Sequence, residues 1–215
     1  MIRAILFDVD GVLLDSVDYH FRAWKALFDQ INIPFTYEDY VAKVNGLPRN
    51  VGIKNIAVDA TDIECARYAA IKQDFLLNMV REKPLAPLPG VVEFLEHLIR
   101  HGIHRAAASS SKNAPLFLQQ AGLADLFETI VSGSDFSRPK PDPELFELAA
   151  KRLNVEAADC LVIEDATSGV QAAHAAGMKA VGLTHSSDPD IAREADMSIH
   201  SLLHFQKIIK KYGLL

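Results

Sequence analysis

Short apolar segments alternate regularly with amphipathic helical segments from residue 91 to residue 183, and a Gly follows several of the helical segments. Buried strands that alternate with helices pair in parallel and are joined by right-handed crossovers. This pattern constrains the fold more than any other feature, and it predicts an α/β fold with a Rossmann-like three-layer core around a parallel sheet. The expected strands after the first are 103–108, 129–131, 160–163 and 180–183.

The pattern changes between residues 16 and 83, where helical periodicity replaces the short apolar strands. Ser16 is a candidate N-cap for the first helix, and further helices are expected over about 38–44, 50–60 and 62–81. A proline-bearing stretch at 83–90 is typical of a linker. We therefore predict a core domain of residues 1–15 and 84–215, with a small all-helical domain of residues 16–83 inserted after the first strand.

Composition excludes several classes of partner. The chain has 28 acidic and 22 basic residues, a net charge of -6, whereas binding to a nucleic-acid backbone needs clustered cations.

Cys65 and Cys160 are far apart in sequence, which favours a reducing setting. The sequence has no secretory signal and no apolar run near the ~20 residues of a membrane helix. We expect a cytoplasmic monomer with no nucleic-acid or membrane partner.

Two carboxylates, Asp8 and Asp10, follow the first apolar run and precede Gly11. Side chains two residues apart on a strand point the same way, and ligands of open α/β sheets bind at this end of the strands. Two neighbouring acids repel each other when they are buried. The pair therefore predicts a metal ion, a shared proton, or both.

A second acidic pair, Glu164 and Asp165, ends a later strand. Alone it would be interpreted as solvated loop charge, but in a parallel sheet with Asp8 and Asp10 it predicts metal ligation. Ligands that are all oxygen favour a hard cation, so we expect Mg²⁺.

Hydroxyl groups and one lysine complete this set of polar residues. Ser109, Ser110 and Ser111 follow the strand at 103–108, where they either cap the next helix or form an oxyanion cradle at its N-terminus. Lys140 lies between two prolines that stiffen its backbone. It can bring positive charge to the acidic cluster.

Taken in order and spacing, these motifs resemble the haloacid dehalogenase-like superfamily. The resemblance covers essentially the whole chain. It implies that Asp8 is the nucleophile that accepts a phosphoryl group and that Asp10 is the general acid/base. It further assigns Ser109 and Lys140 to the phosphate. Mg²⁺ would bind to Asp8, the carbonyl of Asp10 and Asp165, with Glu164 as a ligand directly or through water.

Within that superfamily the chain resembles the β-phosphoglucomutase subgroup, at residues 19–27, Gly46, Arg49, Lys72 and 111–113. The helical insert then corresponds to the small cap domain of the superfamily. The resemblance implies that Arg49 binds the non-reacting phosphate and that His20 and Lys72 couple the cap to Asp10. His20 could instead be an ordinary packed histidine, and Arg49 and Lys72 could be ordinary solvated side chains. The predicted substrate-binding residues are His20, Arg49, Lys72, Ser111 and Asn113.

The sequence leaves three functions open. The first is conversion of β-glucose 1-phosphate to glucose 6-phosphate through a bisphosphate and an aspartyl phosphate. The second is a sugar-phosphate phosphatase, in which water resolves the same intermediate. The third is a non-catalytic phospho-acceptor module, although such modules lack a cap and carry the acceptor on a middle strand. For the mutase and the phosphatase, the expected binding partner is a small sugar phosphate.

Overall fold

A computed structural model describes residues 1–185 and 188–214. The strands are β1 Ala4–Phe7, β2 His104–Ala108, β3 Thr129–Val131, β4 Cys160–Glu164, β5 Lys179–Leu183 and β6 Met197–Ile199. The helices are α1 Val17–Gln30, α2 Tyr37–Lys43, α3 Arg49–Ile56, α4 Asp62–Glu82, α5 Val91–Arg100, α6 Ala114–Gln120, α7 Glu144–Leu153, α8 Thr167–Ala175, α9 Ile191–Glu194 and α10 Gln206–Tyr212. One-turn helices occupy Ala124–Leu126, Ala157–Asp159 and Leu202–His204.

The chain divides into two compact units. Residues Met1–Asp15 and Ala86–Leu215 form an α/β unit, and residues Ser16–Leu85 form an all-helical unit. The observed boundaries lie after Asp15 and after Leu85, whereas the linker prolines led us to expect the second boundary after residue 83.

The α/β unit contains one sheet in the order β3-β2-β1-β4-β5-β6, and every adjacent pair of strands is parallel. This confirms the predicted fold class. Successive strands extend to one side from β1 to β3 and to the other side from β4 to β6. The carboxyl ends of β1, β2 and β4 therefore meet where the strand order reverses, which is the usual position of a ligand site in such sheets.

The core of the α/β unit lies on both faces of the central strand β1, whose residues are all buried. Ala4 and Leu6 pack in a cluster with β4, α7 and α8. Phe7 contacts Phe94 and Phe127 edge-on, with ring centroids 5.9 and 6.0 Å apart. A strand buried on both faces holds its carboxyl end, and so the acids that follow it, in a fixed position.

The helical unit has its own apolar core between α1 and α4. Trp24 stacks on Phe28 at 5.7 Å, and Phe28 contacts Phe35 at 4.7 Å. Capping boxes begin α2 at Thr36 and α4 at Thr61, where the threonine hydroxyl and an acid three residues later exchange hydrogen bonds with the backbone.

The local structure differs in detail from what the sequence predicts at four places. Ser16 occupies the N-cap position of α1, but its side chain makes no capping hydrogen bond. Helix α3 ends at Ile56, before the residue 60 that periodicity indicated. The apolar residues between 202 and 209 predict one amphipathic closing helix, but the segment is divided into Leu202–His204 and α10. Strand β6 was not anticipated because only three residues form it. No helix within the described ranges is long and apolar enough to cross a membrane.

Candidate active site

Pairing of the central strands brings the two acidic pairs together. Phe7 is in register with Ile163, and the Asp8 N–H donates to the Ile163 carbonyl at 3.0 Å. Asp8 and Glu164 therefore leave the sheet side by side. Asp10 follows, and Gly11, with φ of 79°, turns the chain back so that its N–H donates to the Leu14 carbonyl.

Lys140 lies at the centre of the acidic cluster. Its Nζ donates to Asp8 Oδ1 at 2.6 Å and to Glu164 Oε1, and it lies 5.3 Å from the centre of the Phe146 ring. Only 2% of the Lys140 surface is exposed. Charge-assisted bonds in a buried setting orient an ammonium group strongly, so Lys140 is directed at the Asp8 carboxylate.

Glu164 is buried completely and accepts hydrogen bonds at both oxygens. Its Oε1 accepts from Lys140, and its Oε2 accepts the N–H groups of Asp165 at 2.9 Å and Ala166 at 3.1 Å. Glu164 thus links Lys140 to the backbone that carries Asp165.

The serine hydroxyl at the end of β2 is also directed at the acids. Ser109 Oγ donates to Asp10 Oδ2 at 3.3 Å and accepts the Ser111 N–H at 2.9 Å. Ser111 Oγ in turn accepts the Asn113 N–H at 3.2 Å. These bonds form a turn that precedes α6, so Ser109 is not a helix cap but part of a polar loop beside Asp10.

Burial perturbs the titration of this cluster. Desolvation raises the pKa of Asp8 to about 7; the charges of Glu164 and Asp10 add to that rise, and Lys140 opposes it. Desolvation and the charges of Glu164 and Asp8 also hold the pKa of Asp165 well above its usual range. Burial alone would lower the pKa of Lys140, but the charges of Asp8 and Glu164 outweigh that effect and raise it. The cluster therefore carries more negative charge than Lys140 offsets.

The donor set fits a divalent cation. Asp8, Glu164 and Asp165 are buried, and each can place one oxygen within 4.8 Å of the others. Carboxylate oxygens without sulfur or imidazole suit Mg²⁺. A cation would also offset the burial and the repulsion that together raise the pKa values of Asp8 and Asp165.

The helical unit brings together two of the predicted substrate-binding residues. Lys72 is 1% exposed, and its Nζ lies 3.1 Å from His20 Nδ1 and 5.2 Å from the centre of the Trp24 ring. Arg49 Nη1 donates to the Ala69 carbonyl of α4 at 3.2 Å, and burial lowers the pKa of the guanidinium. Thus Lys72 and His20 form one contact, and Arg49 binds the helix that carries Lys72.

Sequence reasoning missed three residues that support the site. Phe146 lies beneath Lys140. Asp188 accepts from the N–H and the hydroxyl of Thr167, at 2.7 and 2.9 Å, and so caps α8. Gly169 lies against Glu164. Only Gly169 had a sequence signal, because glycine is an unfavourable residue inside a helix and its presence there indicates a spatial requirement.

Comparisons with known proteins agree with this geometry. Residues 5–183 match the haloacid dehalogenase-like hydrolase family. The chain is similar to β-phosphoglucomutase of Bacillus subtilis, with 35% identity over 94% of each chain, and to the phosphorylated carbohydrates phosphatase of Thermotoga maritima, with 32% identity over 86% of each. The crystal structure of a β-phosphoglucomutase from Clostridium difficile superimposes with a TM-score of 0.90 at 29% identity, covering 99% of this chain and 98% of that one.

The chain belongs to the haloacid dehalogenase-like hydrolase family and is an enzyme of that family. Within the family it is similar to the β-phosphoglucomutase subgroup, as the sequence predicted.

Proposed function

We propose that this enzyme transfers phosphoryl groups on sugar phosphates through an aspartyl phosphate on Asp8, and that its reaction is the interconversion of β-glucose 1-phosphate and glucose 6-phosphate. The observation that carries the proposal is the buried contact of Lys140 with Asp8, beside Asp165 and within reach of the Ser109–Asp10 pair. A carboxylate nucleophile, a fixed cation and an adjacent acid are the groups that phosphoryl transfer requires.

In the first half-reaction an Asp8 oxygen attacks phosphorus and forms the acyl phosphate bond. The bond from phosphorus to the sugar oxygen breaks, and that oxygen takes a proton from Asp10. In the second half-reaction a sugar hydroxyl gives its proton to Asp10 and attacks phosphorus, so that the Asp8 carboxylate leaves. Ser109 and Lys140 would bind the oxygens of the transferred group.

Asp8, the Asp10 carbonyl and Asp165 would hold Mg²⁺, with Glu164 as a direct or water-mediated ligand. When bound, this ion supplies positive charge that offsets the repulsion between the carboxylates and a phosphate. Lys140 supplies one further positive charge from the protein itself.

The helical unit favours the mutase. Lys72 and His20 form a buried polar contact, which we propose couples binding of a sugar to the position of Asp10. Arg49 suits a phosphate held apart from the reacting one, because its guanidinium can form two parallel hydrogen bonds. Ser111 and Asn113 would contact the substrate from the loop that follows β2.

A sugar-phosphate phosphatase is the second candidate, since the similar protein of Thermotoga maritima is a phosphorylated carbohydrates phosphatase. In that reaction water attacks the phosphorus of the acyl phosphate. The third alternative, a phospho-acceptor that does not turn over, fits poorly with membership in a family of enzymes.

The deciding assay supplies β-glucose 1-phosphate, Mg²⁺ and a trace of β-glucose 1,6-bisphosphate, and follows glucose 6-phosphate and free phosphate together. A mutase forms glucose 6-phosphate with little free phosphate. Stoichiometric free phosphate without glucose 6-phosphate would establish the phosphatase instead. Asp8→Asn serves as the inactive control.

A further inference from the structure

Gly169, in the first turn of α8, lies against the carboxyl end of Glu164. A Cβ atom at residue 169 would be 2.7 Å from Glu164 Cγ and closer still to its Cδ and Oε1, whereas real Cβ atoms essentially never come within 3.0 Å of another heavy atom. No side chain fits here while Glu164 keeps its position.

Glu164 has little freedom to move away. It is completely buried, its Oε2 accepts two backbone N–H groups, and its Oε1 accepts from Lys140. The start of α8 is also held, because Asp188 accepts two hydrogen bonds from Thr167. A Cβ at residue 169 must therefore displace the Glu164 carboxylate, and the contact it breaks is the one with Lys140.

We propose that Gly169 is a positioning residue, whose missing side chain leaves the space in which Glu164 orients Lys140 toward Asp8. Gly169 itself contacts neither substrate nor metal in this scheme; it acts through two side chains in series. The expected effect of Gly169 on kcat rests on the proposed phosphoryl transfer. Its expected effect on the position of Lys140 does not.

Gly169→Ala separates this role from an ordinary structural one. Alanine at a helical glycine normally raises stability through backbone entropy. We expect Gly169→Ala instead to lower the melting temperature. The control Gln171→Ala, at an exposed position of the same helix, should change neither the melting temperature nor the activity.

The positional claim is tested without any assay of activity. Acetylation of each lysine by acetic anhydride, followed by peptide mass spectrometry of the metal-free protein, reports the accessibility of each amine. We expect Gly169→Ala to raise the acetylation rate of Lys140 by roughly 10-fold while that of the equally buried Lys72 stays unchanged, since a weakened buried contact opens more often. An unchanged rate at Lys140 overturns the proposal, as does an equal rise at both lysines, which would indicate general loosening.

A double-mutant cycle tests the route through Glu164. We expect Gly169→Ala to lower kcat by about 10-fold or more, with a smaller change in KM, because Lys140 acts on the transferred group. In a Glu164→Ala background the carboxylate is gone, so the same change should alter kcat by less than about 2-fold and should raise the melting temperature.

The proposal would be overturned if the losses of kcat from Gly169→Ala and Glu164→Ala multiplied in the double variant. It would also be overturned if neither Gly169→Ala nor the double variant folded. If Gly169→Ala alone fails to fold while the double variant folds, the same coupling is seen in stability. If the wild-type protein turns over no sugar phosphate, the proposed function fails, and the acetylation and melting results still decide the role of Gly169.

Discussion

Among the residues that the structure describes, each unit buries one lysine, and the two lysines have different surroundings. Lys140 of the α/β unit contacts two carboxylates at the ends of neighbouring strands, whereas Lys72 of the helical unit contacts a histidine and lies over an indole ring. An ammonium group that offsets buried negative charge stabilises the carboxylates beside it, and we propose that Lys140 serves the reacting centre. Lys72, beside a histidine and an indole ring, lies in the unit that we propose distinguishes substrates. We propose on this basis that the α/β unit performs the chemistry and that the helical unit supplies the specificity.

The largest effect should follow from Lys140→Met. This change leaves Asp8 and Glu164 buried without their cation, which costs about 3–5 kcal/mol of stability at neutral pH. We also expect kcat to fall by roughly 10³-fold, as for the loss of a strong electrostatic contact to the transferred group. Chemical denaturation and steady-state kinetics measure the two effects. A variant as active as the wild type would remove Lys140 from the reacting centre.

Metal binding should stabilise the α/β unit. Because Mg²⁺ relieves repulsion in the acidic cluster, a concentration about 100 times its dissociation constant should add ~2.7 kcal/mol to the free energy of unfolding. Thermal melts with Mg²⁺ and after chelation measure this effect. The shift should be lost in Asp165→Asn, and an equal shift in that variant would contradict the assigned site.

Lys72→Met sharpens the comparison. Methionine keeps the unbranched stem over Trp24 and removes the charge next to His20. We expect glucose 6-phosphate formation to fall by about 10-fold, equivalent to 1.4 kcal/mol, while hydrolysis of a small phosphate monoester changes little. The ratio of the two rates is the measurement. Equal losses on both substrates would mean that Lys72 also serves the reacting centre.

The smallest effect concerns the helical unit alone. Thr61→Ala removes the capping box of α4 and should lower the melting temperature by about 2–4 °C without altering kcat. Hydrogen bonds from Thr61 lower the pKa of Glu64, so this contribution is present above the usual pKa of the acid and is lost as the pH falls through the lowered value. The melting temperatures of the two proteins should come closer at acidic pH without coinciding, because the Thr61 hydroxyl also accepts the Glu64 N–H, a bond that does not titrate. A difference that stays constant with pH would contradict that assignment.

The sequence predicted the α/β unit well because its signals are local. Asp8, Asp10, Glu164 and Asp165 each lie at or just after the end of a strand, and strand order alone brings such ends together. The prolines around Lys140 indicated a rigid segment, but the direction of its side chain depends on Phe146 and Glu164, which no spacing reveals. Packing decides that direction.

The helical unit was less predictable from patterns. Lys72 and His20 are 52 positions apart, and their contact depends on how α1 and α4 pack. Helical periodicity placed both helices but gave no distance between the two side chains, so their predicted role came from family resemblance. The short strand β6 and the early end of α3 were missed because three or four residues carry little periodic signal.

The central claim is that Asp8 carries the phosphoryl group, and direct capture of the acyl phosphate tests it. The protein is mixed with β-glucose 1,6-bisphosphate and Mg²⁺, quenched in acid within milliseconds, and treated with borohydride, which reduces an aspartyl phosphate and marks the residue for peptide mass spectrometry. The mark should appear on Asp8 in the wild type, form far more slowly but on the same residue in Asp10→Asn, which lacks the acid that protonates the leaving oxygen, and be absent in Asp8→Asn. A mark on Asp10 or another residue, or sustained turnover by Asp8→Asn, would contradict the account.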